Sequence, residues 1–368
     1  MKYFSRALYS LLMLVMAFAV QAQNKRIQKK YTSSYETQTL NSSESPVIMP
    51  FNRWVKPAGE QIYFGDRQLE NHALDCASSP DGKWIAVEGR YALVIVSPTD
   101  KKIVENLPLK SHFKTENVMG TFSGIQWRKQ GENYELYWSV SNSSGKSYVV
   151  QASWNGRKAK IEKTFALPAQ APAKTALPNE VLVNEENGRP VLYVVLNGNN
   201  TLEKLDIATG KTIWSKPTGV APYGIAMAKG KLYVTNWAGS VPDKNDTNVA
   251  GVPLGSAKVD EKTGATREGT VSVFDPKTGD QLNEIKVGLH PNDIICSPDQ
   301  QFVYVANANS DAVSVINIKN DEVAETIPVR LAPDKNSYFG DSPNGLGISS
   351  NGQTLYVACG MDNAVSVV

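Results

Sequence analysis

The sequence repeats itself, and the repeat limits what the chain can fold into. Pro291-Asn292-Asp293-Ile294-Ile295-Cys296-Ser297-Pro298-Asp299 returns as Pro343-Asn344-Gly345-Leu346-Gly347-Ile348-Ser349-Ser350-Asn351, 52 residues later. At the same offset, Phe302-Val303-Tyr304-Val305-Ala306-Asn307 returns as Thr354-Leu355-Tyr356-Val357-Ala358-Cys359, and Asp311-Ala312-Val313-Ser314-Val315-Ile316 returns as Asn363-Ala364-Val365-Ser366-Val367-Val368. A unit of this size cannot bury its apolar side chains alone. Copies must stack, and the stack becomes the fold.

Earlier copies vary but keep the order of parts. A short apolar run ends at a turn such as Ser79-Pro80-Asp81-Gly82, and a β-branched and aromatic run such as Trp84-Ile85-Ala86-Val87-Glu88 follows. An Asn-rich turn, an alternating run such as Thr270-Val271-Ser272-Val273-Phe274, and a turn such as Asp275-Pro276-Lys277-Thr278-Gly279-Asp280 lead to a fourth run. Gly, Asn and Asp tolerate the positive φ of tight hairpin turns. Four short antiparallel strands per unit make a propeller blade. The near absence of a 3.6-residue apolar period argues against helices. The fold class expected is all-β, a β-propeller of four-stranded antiparallel blades.

Complete units span 72–109, 118–167, 178–216, 222–287 and 291–329, the second of them degenerate. A sixth begins at Pro343 and reaches Val368 within what aligns as its third strand. A propeller closes as a ring, often with a strand borrowed from the other terminus. Residues 47–51 or 61–65 are the expected donors. The chain reads as the front part of a longer protein whose propeller has six to seven blades.

The unit Pro-x-x-Ile-x-x-Ser-Pro-Asp, then Tyr-Val-Ala-Asn, Val-Ser-Val-Ile and Glu-Thr-Ile-Pro-Val, resembles the YVTN-repeat (YncE-type) β-propeller family. Tyr233-Val234-Thr235-Asn236 carries the family's tetrapeptide. The opening segments Phe51-Asn52-Arg53-Trp54, Pro57 to Asp66 and Glu70 to Asp75 resemble exported bacterial proteins in which such a propeller precedes an alkaline-phosphatase-like phosphoesterase domain. The resemblance implies a metal-dependent hydrolase beyond Val368, and it places no catalytic residue or metal ligand in this chain. Propellers host many activities, so the resemblance speaks for fold more than for function.

Lys2 and Arg6 precede an apolar run from Ala7 to Val20, and Val20-Gln21-Ala22 has the small-residue pattern of a cleavage site. That order defines a secretory signal peptide, residues 1–22. The 14-residue apolar run is too short to span a bilayer, which takes about 20 residues. Residues 23–45 form a flexible polar leader, and 46–368 the propeller. Cleavage removes Lys2 and Arg6 and no acid, taking the formal charge from +2 to 0. A neutral chain gives no bulk attraction to nucleic acid, and no later segment is apolar enough to cross a membrane. The expected location is periplasmic or extracellular. Cys76, Cys296 and Cys359 each lie in or beside an apolar strand-like run and read as buried apolar residues, and the lack of a Cys-x-x-Cys excludes zinc-ribbon and c-type haem sites.

Strand starts line a propeller's channel, and the loops before them form one face. In this register His72, Asp75, Tyr223, Asn292, Asp293 and Asn344 stand at strand starts, with Asn236 and Asn307 at the ends of second strands. Polar groups gathered at a channel mouth make a binding site, although Asn and Asp at turns also bond their own backbone. The insertion between Trp237 and Thr270 carries Asp243, Asp246 and Asp260, without the Gly and terminal Glu of an EF-hand loop. The shorter loop from Arg330 to Ser342 is expected to join that face. His72, His112 and His290 are the only histidines, and no Gly-x-Ser-x-Gly occurs. Copper and haem sites lack the ligands they need. No cofactor is identified in this segment.

The leading functional reading is an exported binding or scaffolding module for a small molecule or protein, preceding a phosphoesterase domain. One alternative is a lactonase-type hydrolase with a divalent ion held near Glu88, Asn236 and Asn307. A second is a structural surface-layer repeat protein. Mass spectrometry of the secreted product should show Gln23 as the first residue. An intact Met1 in exported protein would contradict the cleavage site.

Overall fold

The computed structural model describes residues 47–49, 53–55, 59–65, 72–252, 255–331 and 340–368. The signal peptide and leader lie outside the described residues. Two compact units divide the chain after Tyr63. In the first, Val47–Met49 pairs antiparallel with Arg53–Val55. The second, 64–368, is a six-bladed β-propeller whose blades span 73–108, 118–166, 178–217, 222–287, 291–328 and 343–367. These limits fall within two residues of the units read from the repeat. Five blades are four-stranded sheets, and blade 6 has three strands, Pro343–Ile348, Leu355–Cys359 and Ala364–Val367. Among the described residues the only helix is the 3₁₀ turn Leu109–Ser111.

Among the described residues, the segments expected as donors are placed otherwise within their own region. Val47–Met49 is engaged with Arg53–Val55, and 61–65 is not in a strand. A hairpin with so short a connection costs far less loop entropy than a pairing between chain ends.

The innermost strands are Ala73–Ser78, Val118–Gln130, Pro178–Glu186, Pro222–Ala228, Pro291–Cys296 and Pro343–Ile348, each packed against the next from blade 1 to blade 6. Successive side chains of a strand face opposite sides of its sheet. An inner blade therefore needs apolar residues at both parities. In blade 3, Leu192, Val194 and Leu196 face blade 2, where Tyr137, Val149 and Phe165 meet them. Val191, Tyr193 and Val195 face blade 4, against Ile225, Leu232, Val234 and Phe274. The same layering joins blades 1 and 2, 4 and 5, and 5 and 6. Blade 6 shows what lacking a neighbour does. Leu355, Val357 and Cys359 are buried, whereas Tyr356 is 45% exposed and Val365 59%.

The tetrapeptide Tyr233-Val234-Thr235-Asn236 follows from this layering. The Tyr233 hydroxyl crosses to blade 5 and donates to Asp321 at 2.6 Å, beside the Lys231–Asp321 ion pair. Val234 turns the other way, into the layer with blade 3. Thr235 turns to blade 5 again. Its Oγ1 donates to the Asn292 carbonyl at 2.7 Å and accepts from the Gly224 amide at 2.8 Å. Asn236 locks its own blade, donating from Nδ2 to Thr270 and Ser272 at 3.0 and 2.9 Å. Ser139 repeats the Thr235 contact between blades 2 and 3, donating to the Asn179 carbonyl at 2.5 Å. That contact needs a glycine beneath it. A Cβ on Gly124, at φ +110°, would lie 2.0 Å from the Asn179 oxygen.

The insertion of blade 4 is held by its own bonds. It contains the hairpin Val249–Val252 with Gly255–Lys258. Asp246 pairs with Arg267 at 3.2 Å and Lys258 at 3.6 Å. Asp243 accepts from the Asn245 amide at 2.6 Å, and Asp260 accepts from the Lys262 and Thr263 amides. Cys76, Cys296 and Cys359 are free thiols, and Cys76 is exposed, not buried as the sequence suggests. The side of blade 1 that would cover it meets no packed sixth blade comparable to the other joints.

Thermal and urea unfolding should rank two variants. Gly124→Ala combines a disfavoured φ with an overlap and should cost more than about 2 kcal/mol. Tyr233→Phe removes one interblade hydrogen bond and should cost about 1 kcal/mol. The reverse order would contradict the joint described here.

Candidate ligand-binding channel

Each innermost strand opens on a register shift. The shifts fall between Ala73 and Asp75, Gly120 and Ile125, Pro178 and Val181, Pro222 and Ile225, Pro291 and Ile294, and Pro343 and Gly345. Such irregularities re-aim side chains and recur beside sites. Beyond the shifts the ladders share matching pairs: Cys76 opposite Val87, Ile125 opposite Trp138, Val181 opposite Val194, Ile225 opposite Val234, Ile294 opposite Val305 and Leu346 opposite Val357. The residues just before these are Asp75, Gly124, Glu180, Gly224, Asp293 and Gly345. Carboxylates from blades 1, 3 and 5 thus alternate with glycines from blades 2, 4 and 6.

The alternation marks two kinds of joint. Asp75 Oδ2 accepts the Gly124 amide of the next blade at 2.9 Å, and Oδ1 accepts its own following amide, Cys76, at 2.7 Å. Asp293 repeats this with Leu346 and Ile294, both at 2.7 Å. Glycine-bearing blades 2 and 4 use the Ser139 and Thr235 hydroxyls instead. Glu88 lies opposite Asp75 in the ladder. Its Oε1 accepts the Thr121 amide at 3.1 Å, and its Oε2 is buried without a partner.

Burial pushes all four carboxyls above their ordinary range. Asp293 rises to about 7, mainly by burial and then by the charge of Asp75. Glu88 and Glu180 rise well above the usual value, from burial first and then from neighbouring acids. Asp75 is raised by burial despite its amide bonds. The charge of Asp75 acts on Glu88, Glu180 and Asp293, and Glu180 also feels Asp293 and Glu88.

Tyr223 lies across this ring. It starts in blade 4, yet its hydroxyl reaches the Phe122 carbonyl of blade 2 at 3.2 Å. Burial and the charges of Asp75, Glu180 and Asp293 hold its phenol protonated. Trp237 stacks on Tyr223 with centroids 4.7 Å apart and planes at 26°. His290 also stacks on Trp237, at 4.6 Å and 20°, and burial lowers its pKa. Phe122, half exposed, adds an edge 5.9 Å from Trp237. The Trp237 indole N–H is buried without a partner. Three rings in a stack, with a fourth beside them, form an aromatic roof.

A cavity of about 430 Å³ reaches Asp75, Glu180 and Asp293; Ile125, Ile225, Ile294 and Leu346 are among its apolar walls, and it runs out along Tyr356 and Val365 of blade 6. Of the residues singled out in the sequence, the structure brings together Asp75, Asp293 and Tyr223. Asn292 is buried beside Asp293, and its Oδ1 has no partner. Asn236 and Asn307 are wholly buried, and their amides bond within their own blades, Asn307 to Ser314 at 3.0 Å. His72 and Asn344 are exposed at the rim. The Glu88, Asn236 and Asn307 set does not meet: their bonds run to Thr121, to Thr270 and Ser272, and to Ser314. Among the described residues no group of three His, Cys, Asp or Glu is placed to hold one metal ion. Residues 332–339 of the Arg330–Ser342 loop lie outside the described residues.

Sequence reasoning passes over Glu180, Phe122 and Trp237, and gives His290 no place in a site. Glu180 is findable, because Pro178-Asn179-Glu180-Val181 is in register with Pro291-Asn292-Asp293-Ile294. The aromatic roof has no such signal, since its members come from three blades.

No protein-family model matches the sequence, and no curated protein does either. Solved structures do match in shape. Hydrazine synthase of Kuenenia stuttgartiensis aligns with TM-score 0.54 at 14% identity, over 80% of this chain and 82% of that one. A chain of a mitotic checkpoint complex aligns with TM-score 0.54 at 11% identity, over 82% and 75%. At such identities the likeness shows the fold, a β-propeller, and the functional class it defines is broad.

The raised carboxyls set a pH dependence. Their folded pKa values exceed the unfolded ones, so the folded chain holds more protons between the two. Stability should fall as pH rises from about 4 to about 7 through the titration of Asp293, by up to about 1.4 kcal/mol per pH unit for each group titrating, with the other raised carboxyls acting in the same direction. Asp293→Asn should flatten part of that slope in melting temperatures measured across the window. An unchanged slope would mean Asp293 titrates normally.

Proposed function

We propose that the chain is an exported, YVTN-type β-propeller that acts as a binding module, taking its ligand at the roofed end of the channel. One observation carries the reading: the aromatic stack of Tyr223, Trp237 and His290 adjoins buried carboxylates whose charges act on the Tyr223 phenol. A structural joint needs only the amide bonds of Asp75 and Asp293. Glu180, the buried indole N–H and the half-exposed Phe122 are surplus to it. Aromatic faces above negative charge favour cations. The resemblance to propeller–phosphoesterase proteins supports a division of labour, in which this module holds a molecule and a separate domain does the chemistry. The lactonase reading has less support, because the residues it needs are committed to blade joints and turns. The Ser/Thr-rich leader and signal segment support export, to the periplasm or beyond.

Benzyltrimethylammonium is a suitable probe of the roof. It should quench tryptophan emission saturably, and Trp237→Ala should abolish the response. Quenching that survives this substitution would place the ligand elsewhere.

A further inference from the structure

We infer that the channel beneath the roof binds the ammonium group of a small aliphatic primary amine, held by Asp75, Glu180 and Asp293. This rests on the binding-module reading and names the chemistry of its ligand.

The arrangement of the acids comes first. They stand at equivalent positions of alternate blades, with glycines at the positions between, so the ring approximates threefold symmetry. A primary ammonium carries three N–H donors about a threefold axis. Charge-assisted N–H···O contacts span about 2.7–2.9 Å, longer than the bonds by which carboxylates chelate a small metal ion. That difference fits acids that share one channel and yet, among the described residues, are not placed to share one metal.

Independent evidence comes from buried polar atoms without partners. Asn179, wholly buried, satisfies neither Oδ1 nor Nδ2, and Asn292, 7% exposed, leaves Oδ1 unpaired. Each immediately precedes a ring carboxylate, Glu180 or Asp293, within the same register shift. Their equivalent in blade 4 is Tyr223, whose hydroxyl reaches the Phe122 carbonyl of blade 2. Glu88 Oε2 is a further unpaired acceptor next to Asp75. Orphaned polar groups on this scale call for an occupant.

The walls select the remainder of the ligand. The cavity is lined by Ile125, Ile225, Ile294 and Leu346, apolar and one residue past the ring. They suit a short alkyl chain and would strand a sugar or a second charge. The cavity opens along Tyr356 and Val365 of blade 6. The groups facing the ligand that titrate are Asp75, Glu88, Glu180 and Asp293, with Cys76 and Tyr223 neutral beside them. A cation entering displaces protons from these carboxyls, so affinity should rise with pH.

Calorimetric titration of the chain with n-butylamine tests this. Expected are one site per chain, affinity at least about tenfold above that for n-butyltrimethylammonium, which has the same tail and charge but no N–H donor, and tighter binding at about pH 8.5 than at about pH 6 with proton release. Glu180→Gln and Asp293→Asn, each checked for a native circular dichroism spectrum, should weaken n-butylamine by about tenfold or more. Glu180 makes no interblade amide bond of the Asp75 type, so its variant tests binding with least effect on folding. Equal affinity for the two cations, no heat at about 10 mM n-butylamine, or an unaffected Glu180→Gln would each overturn the inference. If n-butylamine fails while benzyltrimethylammonium still quenches Trp237, the roof remains a binding site and only the channel assignment falls.

Discussion

The joint between neighbouring blades is the constraint on which this structure depends. A blade is a small sheet with two apolar faces, and neither can be left to water. Side chains from adjacent sheets supply most of the contact, but apolar contact alone does not set how far one sheet sits along another. Polar contacts near the axis do. A carboxylate gripping the next blade's amides, or a hydroxyl gripping its carbonyl, fixes the offset within a hydrogen bond's tolerance. Further out, Tyr233 with Asp321, and Tyr193 with the Pro276 carbonyl, pin the sheets again. Two attachment points on each sheet set both spacing and tilt.

The same joint makes the channel chemically unusual. Turning Asp75 and Asp293 toward neighbouring amides buries them close to Glu180 and Glu88, at a strand position shared by every blade. Their charges then repel in a poorly hydrated place, and protons are retained to relieve it. Stability of the ring and electrostatics of the channel are therefore one property seen from two sides. An acid needed only for a joint carries its amide bonds. Glu180 instead takes a backbone bond from its own Val181 amide and is the residue that most separates site from scaffold.

Much of the fold was legible because it is local. Strand, turn and strand recur within one unit, so Pro291 to Val329 could be delimited from residues alone, and the tetrapeptide at Tyr233 announced its blade. The structure explains each letter of that tetrapeptide, which the repeat could only display. The site was less legible. Asp75, Tyr223 and Asp293 stood out as strand starts, but Asn236 and Asn307 look the same in sequence and prove to be internal locks. Whether an Asn faces ligand or its own blade depends on side-chain parity and on the register shift, and neither is written in composition. Trp237, His290 and Phe122 meet only after the ring has curved, across separations of more than a blade. The segment at 47–49 that looked like a spare strand has a near partner in Arg53–Val55, a pairing the repeat could not show.

The alternation of acid and glycine around the axis carries a consequence for substitution. Asp75 and Asp293 each accept an amide at or beside the next blade's glycine, whereas Gly124 and Gly224 leave room for the carbonyls of Asn179 and Asn292. Exchanging the residues of two adjacent blades would lose an amide bond at one joint and press a side chain against a carbonyl at the next.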